Sequence, residues 1–337
     1  MSPAIPKLPR ASRRRVLRAT GAALFALPAL ASRAQALLAG GKPVTLVVSY
    51  PAGGGADLMA RLIAPSLSQA LGTPVVVENK PGASGQLAAQ QVARAAPDGS
   101  QLLLDASSFA VNPSLFPKLP YDSDKAFAPI GVLALFPNVL VCTPSFAARS
   151  VRDLVRMAKA EPGKLAYASS GNGSAQHLAG ALFEDRAGVK LTHVPYRGGG
   201  PALNDVMGGQ VPLFFANVAS SLGHIQAGKL RALAVTSRRR ARALPEVPSM
   251  EEAGVAGYEV FEWNPLLAPA GVDAATRARL RAALVKVLGE PEVLGRIRAL
   301  SGDPFEGNAS EAAVAAFLKA QQAQGQRVIR QQGLAAG

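Results

Sequence analysis

The sequence predicts an α/β protein of two lobes, each a mainly parallel sheet flanked by helices, and three observations carry that prediction. An apolar run, Val44–Tyr50, breaks at Pro51, passes through Gly53-Gly54-Gly55 and becomes an amphipathic stretch carrying Leu58, Leu62, Ile63, Leu67 and Leu71. The same order of strand, glycine turn and helix returns at Leu165–Ala168, Ser169–Ser174 and His177–Phe183. Between and after these units, strand-like and helix-like stretches alternate across short connections, which favours parallel strands with right-handed crossovers. A chain of 337 residues that is 49% apolar has enough material for two buried cores.

The chain opens with Ser12-Arg13-Arg14-Arg15-Val16-Leu17-Arg18, an apolar run Ala19–Leu30 and Ala34-Gln35-Ala36. That is the order of a secretory signal: charged region, short hydrophobic region, small-residue cleavage site. The apolar run is too short to span a bilayer. Paired arginines followed by a hydrophobic residue and leucine resemble the twin-arginine export signal, with the general secretory route as the alternative. Residues 1–36 are therefore expected to be a twin-arginine-type signal peptide cut after Ala36, leaving a soluble periplasmic chain. The lone cysteine, Cys142, lies far from the cut, so neither an intramolecular disulfide nor a lipid anchor is expected.

The formal charge of +14 invites a nucleic-acid reading, but seven of the 36 basic residues and none of the 22 acidic ones lie in the first 36 positions, leaving +7. Part of that remainder is one run, Arg238-Arg239-Arg240 with Arg242, read as a solvated loop with an anion or partner patch as the alternative. Aromatic residues make up only 5% and do not interleave with basic ones, so no nucleic-acid partner is expected.

Lobe 1 is predicted from residues 37–138 plus 261–337 and lobe 2 from 139–260. In lobe 1 the first helix stops at Gly72 and is expected to bend at Pro65. A strand Val75–Glu78, a turn Asn79–Gly85, a small-residue helix Gln86–Ala95 and a strand Leu102–Leu104 ending at Ser107-Ser108 follow. Proline-rich Asn112–Pro129 reads as irregular, and the apolar runs Ile130–Phe136 and Val139–Cys142 flank the crossing into lobe 2. That lobe begins with a helix capped by Ser150, with Asp153 three residues on. Strands Leu165–Ala168, Leu191–Val194, Val211–Phe215 and Leu230–Val235 alternate with helices, those after the third and fourth turns covering Pro201–Met207 and Ser220–Ala227. Tyr258–Leu267 is predicted to return to lobe 1, and helices Ala274–Leu288 and Glu311–Gln322 close the chain, the last capped by Ser310.

No catalytic constellation emerges. Gly53-x-Gly55-x-x-Leu58 lacks the third glycine of a dinucleotide fingerprint, and no phosphate-binding loop with its lysine occurs. His177, His193 and His224 are isolated, so no metal site is expected, and Gly82-Ala83-Ser84-Gly85 lacks nucleophile-elbow spacing. No cofactor is predicted. What remains is an anion clamp. Glycine turns free of Cβ atoms let backbone N–H groups and the positive end of a helix dipole approach an anion. In α/β sheets the loops beyond the strand carboxyl ends meet at one edge. The first turn and the loop after Leu104 supply Tyr50, Gly53, Gly54, Gly55, Ala56, Ser107 and Ser108. The second set is Ser170, Gly171, Asn172, Gly173, Ser174, His177, Tyr196, Gly198 and Asn217. His177 is placed in the lining, with a core histidine as the alternative. Asp57 would repel an anion and is assigned to shaping the turn. A valine at Gly54 is expected to block the close approach. The clamp requires the two helix starts to face each other across a gap that acidic side chains do not fill.

The chain resembles the Bug family, the periplasmic receptors of tripartite tricarboxylate transporters. The resemblance covers nearly all of the mature chain. It rests on Tyr50–Asp57 with Ala60-Arg61, Val76–Gly85, Ala96–Gly99 and Leu119–Asp122, then Tyr167–Ser174 with His177-Leu178, His193–Gly198 and Gly228–Thr236. It implies a type II periplasmic-binding-protein (Venus-flytrap) fold, no catalysis, and a small carboxylated solute held between the two glycine loops and passed to membrane permease subunits by a monomeric receptor. Ala126 and Ala216 stand where the family often carries aspartate, and Pro65 is unusual. The missing acid at Ala216 favours a plain di- or tricarboxylate or an aromatic acid over an amino acid. Two other classes compete: a periplasmic co-receptor for a signalling kinase, and an exported enzyme with an unrecognised site.

Overall fold

The structure is a computed structural model that describes residues 41–334; the expected signal peptide lies outside them. In chain order the elements of the first half are β1 (Val44–Val48), α1 (Gly55–Leu71), β2 (Val75–Asn79), α2 (Gln86–Ala93), β3 (Gln101–Leu104), α3 (Ser108–Leu115), β4 (Phe127–Cys142), α4 (Val151–Ala160) and β5 (Ala166–Ser169). They continue with α5 (Ala175–Ala187), β6 (Thr192–Pro195), α6 (Gly199–Met207), β7 (Leu213–Asn217), α7 (Val218–Gln226) and β8 (Arg231–Val235). The last are β9 (Phe261–Pro269), α8 (Ala274–Gly289), α9 (Pro291–Ala299), β10 (Asp303–Pro304) and α10 (Glu311–Gln332).

The strands run in the order β2-β1-β3-β9-β4-β7-β5-β6, with β8 and β10 also on β4. β1 is parallel to β2 and β3, and β5 to β6 and β7. β9 is antiparallel to β3 and β4, and β4 is antiparallel to β7 and β8, so each half adds antiparallel strands to a parallel core of three. The reason is topological: β4 leaves the first half and β9 returns to it, so the pair must run in opposite directions. β4 is one strand of 16 residues, not the two runs predicted from the sequence. It pairs with β9 up to Pro137 and with β7 from Asn138 onward. At that change of partner Thr236 ties the two crossing segments together. Its Oγ1 accepts from the Asn138 N–H at 2.7 Å and donates to the Val260 carbonyl at 2.6 Å.

Each half buries its own apolar faces. β1, β3 and β9 pack through Leu46, Leu104 and Leu266 against Ile63 and Leu67 of α1 and Leu284 and Val287 of α8. Leu140, Tyr167 and Phe215 of the second sheet meet Phe183 of α5, while Val141, Ala168 and Phe214 on the opposite face meet Leu203 and Val206 of α6. The caps read from sequence are present: Ser150 accepts from the Asp153 N–H, and Ser310 from that of Ala313. α1 runs through Pro65 on its exposed side, where the Arg61 carbonyl left without a donor can be solvated. Four further elements differ from those expected. α3 occupies residues expected to be irregular, with Pro113 inside it, and packs Val111 and Leu115 near Ile329 of α10. α9 and β10 were not foreseen, and α10 runs ten residues past Gln322. Among the described residues no helix is long and apolar enough to cross a membrane.

Asn308, before α10, pins this C-terminal layer to the first sheet. Its amide accepts from the Val132 N–H at 2.8 Å and donates to the Val132 carbonyl at 2.7 Å, standing in for a strand neighbour. Asn308→Ala leaves both buried backbone groups unpaired and is expected to cost about 2–4 kcal/mol, read as a lower midpoint in urea unfolding with an unchanged slope.

Candidate functional site

The first glycine turn spends most of its own donors. Gly53, at φ +80°, donates its N–H to Asp57 Oδ2 at 2.9 Å, and the Gly54 N–H reaches the Pro51 carbonyl at 3.3 Å. Burial alone would raise the Asp57 carboxyl. Hydrogen bonds from Arg61, the Gly53 N–H and Asn79 outweigh it and hold the group below the ordinary carboxylate range. The charge of Asp57 is therefore consumed within the turn. The first N–H groups of an α-helix have no partner inside the helix, and in α1 those of Gly55 and Ala56 stay unspent.

The second turn is built the same way from different parts. Ser174 caps α5 by accepting from the His177 N–H at 3.3 Å and donates to the Gly171 carbonyl at 2.7 Å. Gly173 donates its N–H to His177 Nδ1 at 3.1 Å, and the His177 ring stacks on His193 with centroids 3.9 Å apart. His193 Nε2 in turn reaches Ser169 Oγ at 2.6 Å. The donors left over at the start of α5 belong to Ala175 and Gln176. Two more helix starts approach the same place: α6 through Gly199, and α7 through its cap Asn217, which accepts from the Ala219 N–H at 2.8 Å.

All four helix starts line one inner cavity of about 20 Å³, room for roughly one water. It contains Gly54, Gly55 and Ala56 on one side and Ser174, Ala175 and Gln176 on the other. Asn217 Nδ2, buried in this lining, has no hydrogen-bond partner. An outer chamber of about 240 Å³ shares Tyr50 and Ser170 with it and adds Ser84, Asn172, Tyr196 and Arg197. The two sides touch: Ser84 Oγ donates to the Asn172 carbonyl at 2.7 Å, and a Cβ at Gly198 would run into the Pro51 ring.

One member of the inner cavity was missed in the sequence. Glu262, at the start of β9 and only 6% exposed, places its carboxyl on the cavity wall and accepts from Gln176 Nε2 at 2.5 Å. The expectation of a gap without an acid is thus corrected. Burial pushes the Glu262 carboxyl up, with the neighbouring amides opposing. Its sequence signal was weak: one of two acids, with Glu259, in the predicted strand Tyr258–Leu267.

The predicted residues divide between the cavities and their supports. Tyr50, Gly54, Gly55, Ala56, Ser170, Ser174 and Asn217 line the inner cavity; Gly171, Asn172 and Tyr196 line the outer chamber. Gly53, Gly173 and His177 line neither and shape the turns. His177 instead props its loop from behind, and burial lowers it to about 4, with His193 lowered to about 3 by burial and by His177. Ser107 and Ser108 also lie outside both linings; Ser108 accepts from the Tyr50 hydroxyl at 2.8 Å beneath the cavity, and Ala106 takes their place in the wall. Gly198 lets the α6 turn pass close to Pro51. The basic run is largely neutralised by pairs with acids: Arg238 with Glu259, Arg240 with Glu252 and Arg242 with Asp303.

Two tests follow from this geometry. A Cβ at Gly55 would lie 2.9 Å from Asn217 Nδ2 and 3.0 Å from Glu262 Oε1, whereas one at Gly54 would meet nothing closer than the Pro51 carbonyl at 3.4 Å. Gly55, not Gly54, is therefore the position without room, and Gly55→Ala is expected to weaken ligand binding at least ~10-fold, measured by calorimetry, against a smaller change for Gly54→Ala. The second concerns His177. Its folded value lies below the unfolded one near 6.5, so the unfolded chain binds the proton first. The stability from its neutral ring is complete above about pH 6.5 and is lost by about 1.4 kcal/mol per unit as pH falls towards 4. Melting temperatures of the wild type are expected to fall more steeply between pH 7 and 5 than those of His177→Gln.

Comparison with known proteins places this arrangement. The family model described as the tripartite tricarboxylate transporter family receptor matches residues 59–334. A UPF0065 protein from the tcbD-tcbE intergenic region of Pseudomonas sp. strain P51 is 39% identical over 326 residues, covering 96% of both chains. The R. palustris protein Rpa4515 with adipate superposes with a TM-score of 0.84 at 34% identity, covering 87% of this chain and 98% of that one. MatC (Rpa3494) from Rhodopseudomonas palustris with bound malate gives a TM-score of 0.81 at 31% identity, covering 86% and 99%. The chain belongs to the family of tripartite tricarboxylate transporter receptors.

Proposed function

We propose that the protein is a non-catalytic extracytoplasmic receptor that captures a small dicarboxylate between two lobes and delivers it to the membrane subunits of a tripartite tricarboxylate-type transporter. The observation that carries this reading is the convergence of the helix starts of α1 and α5 on one inner cavity lined by unspent N–H groups. A carboxylate there accepts from backbone donors and from Asn217 Nδ2, which makes no hydrogen bond of ordinary geometry and lies beside the Glu262 carboxyl. Hydrogen bonds to a charged group contribute ~1.5–3 kcal/mol each, so four or five support micromolar or tighter binding after ordering costs.

The lobes are taken as residues 41–138 with 261–334 and residues 139–260, hinged where β4 changes partner at Asn138 and where Thr236 binds Val260. An inner cavity of about 20 Å³ is too small for a whole dicarboxylate, so entry opens the cleft by the hinge motion of periplasmic binding proteins. The far end of the ligand then occupies the outer chamber. Arg197 lines that chamber, is exposed, and has no ion pair among the described residues, which suits a second carboxylate. Adipate and malate, bound by the two structural relatives, are dicarboxylates of this size class. No basis remains for excluding an amino acid from the alanine at Ala216, because Glu262 supplies an acid in the cleft.

Mass spectrometry of the compound released from purified protein is expected to show a dicarboxylate. Calorimetry with adipate, malate and matched monocarboxylates is expected to favour the diacids. Arg197→Gln is expected to weaken diacid binding about three- to tenfold and leave monoacid binding unchanged. Equal loss for both classes would remove Arg197 from the site, and no binding of any carboxylate would overturn the function.

A further inference from the structure

Glu262 is the feature of the inner cavity that a site built for anions does not explain. Building on the carboxylate-binding reading, we propose that Glu262 takes up a proton when a carboxylate enters the inner cavity and donates it in a hydrogen bond to that carboxylate, so that ligand and proton are captured together.

The Glu262 side chain is held in place: Oε2 accepts from Gln176 Nε2, and Oε1 lies on the side of Gly55, where a Cβ would come within 3.0 Å of it. A ligand carboxylate reaching the Gly55 and Ala56 N–H groups therefore comes close to Oε1. The cavity offers that pair of acids no cation, since no lysine, arginine or histidine lines it. The groups facing Glu262 are Gly55 from α1, Gln176 from α5, Asn217 from α7 and Asn138 from β4, none ionisable. The ionisable neighbour is Tyr50, which burial and then Asp105 hold neutral. Each helix start carries about half a positive charge, so those of α1 and α5, whose free N–H groups the ligand carboxylate takes, balance about one negative charge between them. A second carboxylate within a few ångströms in a site of low dielectric favours the protonated form of one of the two acids. The Glu262 carboxyl is already raised by burial before any ligand arrives, so it is the group that gives way. The proton comes from solvent and stays shared between two oxygens, and no bond to carbon changes.

The sign is fixed by linkage. The bound state holds more protons than the free state, so affinity falls as pH rises, by up to about tenfold per unit for one proton. Asp105, buried behind Tyr50 and pushed up to about 6 by burial, titrates in the same range, so the contrast that matters is with Glu262→Gln, in which Asp105 is unchanged. Glutamine keeps the shape and both hydrogen-bonding roles of the protonated acid.

The experiment is calorimetry with adipate between pH 5.5 and 8.5 in two buffers of different ionisation heat, which counts protons taken up on binding. The wild type is expected to take up a fraction rising towards one proton and to weaken over this range. Glu262→Gln is expected to take up at least half a proton less and to hold its affinity nearly level. Binding without proton uptake in the wild type overturns the proposal. So does loss of more than 100-fold in Glu262→Gln at pH 5.5, which would mean that an ionised Glu262 accepts from the ligand. If adipate, malate and the monoacids all fail to bind, it is the receptor reading that has failed. A ligand-free arm then decides the state of Glu262. The raised folded value makes ionisation costly above the unfolded value near 4.3, so Glu262→Gln is expected to gain melting temperature over the wild type as pH rises from 4.5 to 8, and no such gain overturns the assignment.

Discussion

Unpaired N–H groups at the start of an α-helix have to be satisfied by something, and here the starts of α1 and α5 converge on the same small volume. Much of the local chemistry answers to that. Gly54, Gly55, Ala56 and Ala175 at these starts are small, and at Gly55 a Cβ would collide with Asn217 and Glu262. Each turn also closes on itself before reaching the cavity. Asp57 consumes the Gly53 N–H, and His177 consumes that of Gly173, leaving only the donors that point inward.

Such a cavity is costly to build with side-chain charge, and the chain uses little. Arg61 neutralises Asp57 behind the first turn, away from the cavity lining. The basic run Arg238–Arg242 is paired on the surface with Glu252 and Glu259 of the second half and Asp303 of the first. Backbone donors recognise a carboxylate without a strongly hydrated cation to desolvate, and their partial charges are fixed in direction by the helices. In the proposed receptor, discrimination between acids falls to the cavity walls, chiefly Glu262 inside and Arg197 at the mouth.

The contacts between the two sides are both apolar and polar: Leu178 of α5 packs against Val111, Leu115 and Ile329, and Arg242 pairs with Asp303. Gln176 spans to Glu262 and Ser84 to Asn172, while Gly198 and Pro51 meet edge to edge. Below them β4 passes from one sheet to the other without a break, and Thr236 binds both that strand at Asn138 and the returning segment at Val260. A bend there would change the cleft while leaving both apolar cores intact.

Local chemistry made the α/β class, the alternation of strand and helix, the caps at Ser150 and Ser310 and the two glycine turns readable from the chain, since each depends on neighbours within a few residues. Asp57 as a turn former was readable for the same reason. Glu262, the supporting role of His177 and the displacement of Ser107 and Ser108 from the wall were not. Glu262 enters the cavity only because β9 returns from the second half and sets its first residues opposite Pro137 and Phe136 of β4, and the His177 ring faces its own loop because His193, 16 positions on, stacks against it. Proline at Pro113 read as a break, yet packing against α10 holds α3 together. Periodicity and turn chemistry are properties of neighbouring residues and travel with the sequence. Which side chains meet in a cleft depends on strand order and register, and those are decided only when distant segments pack.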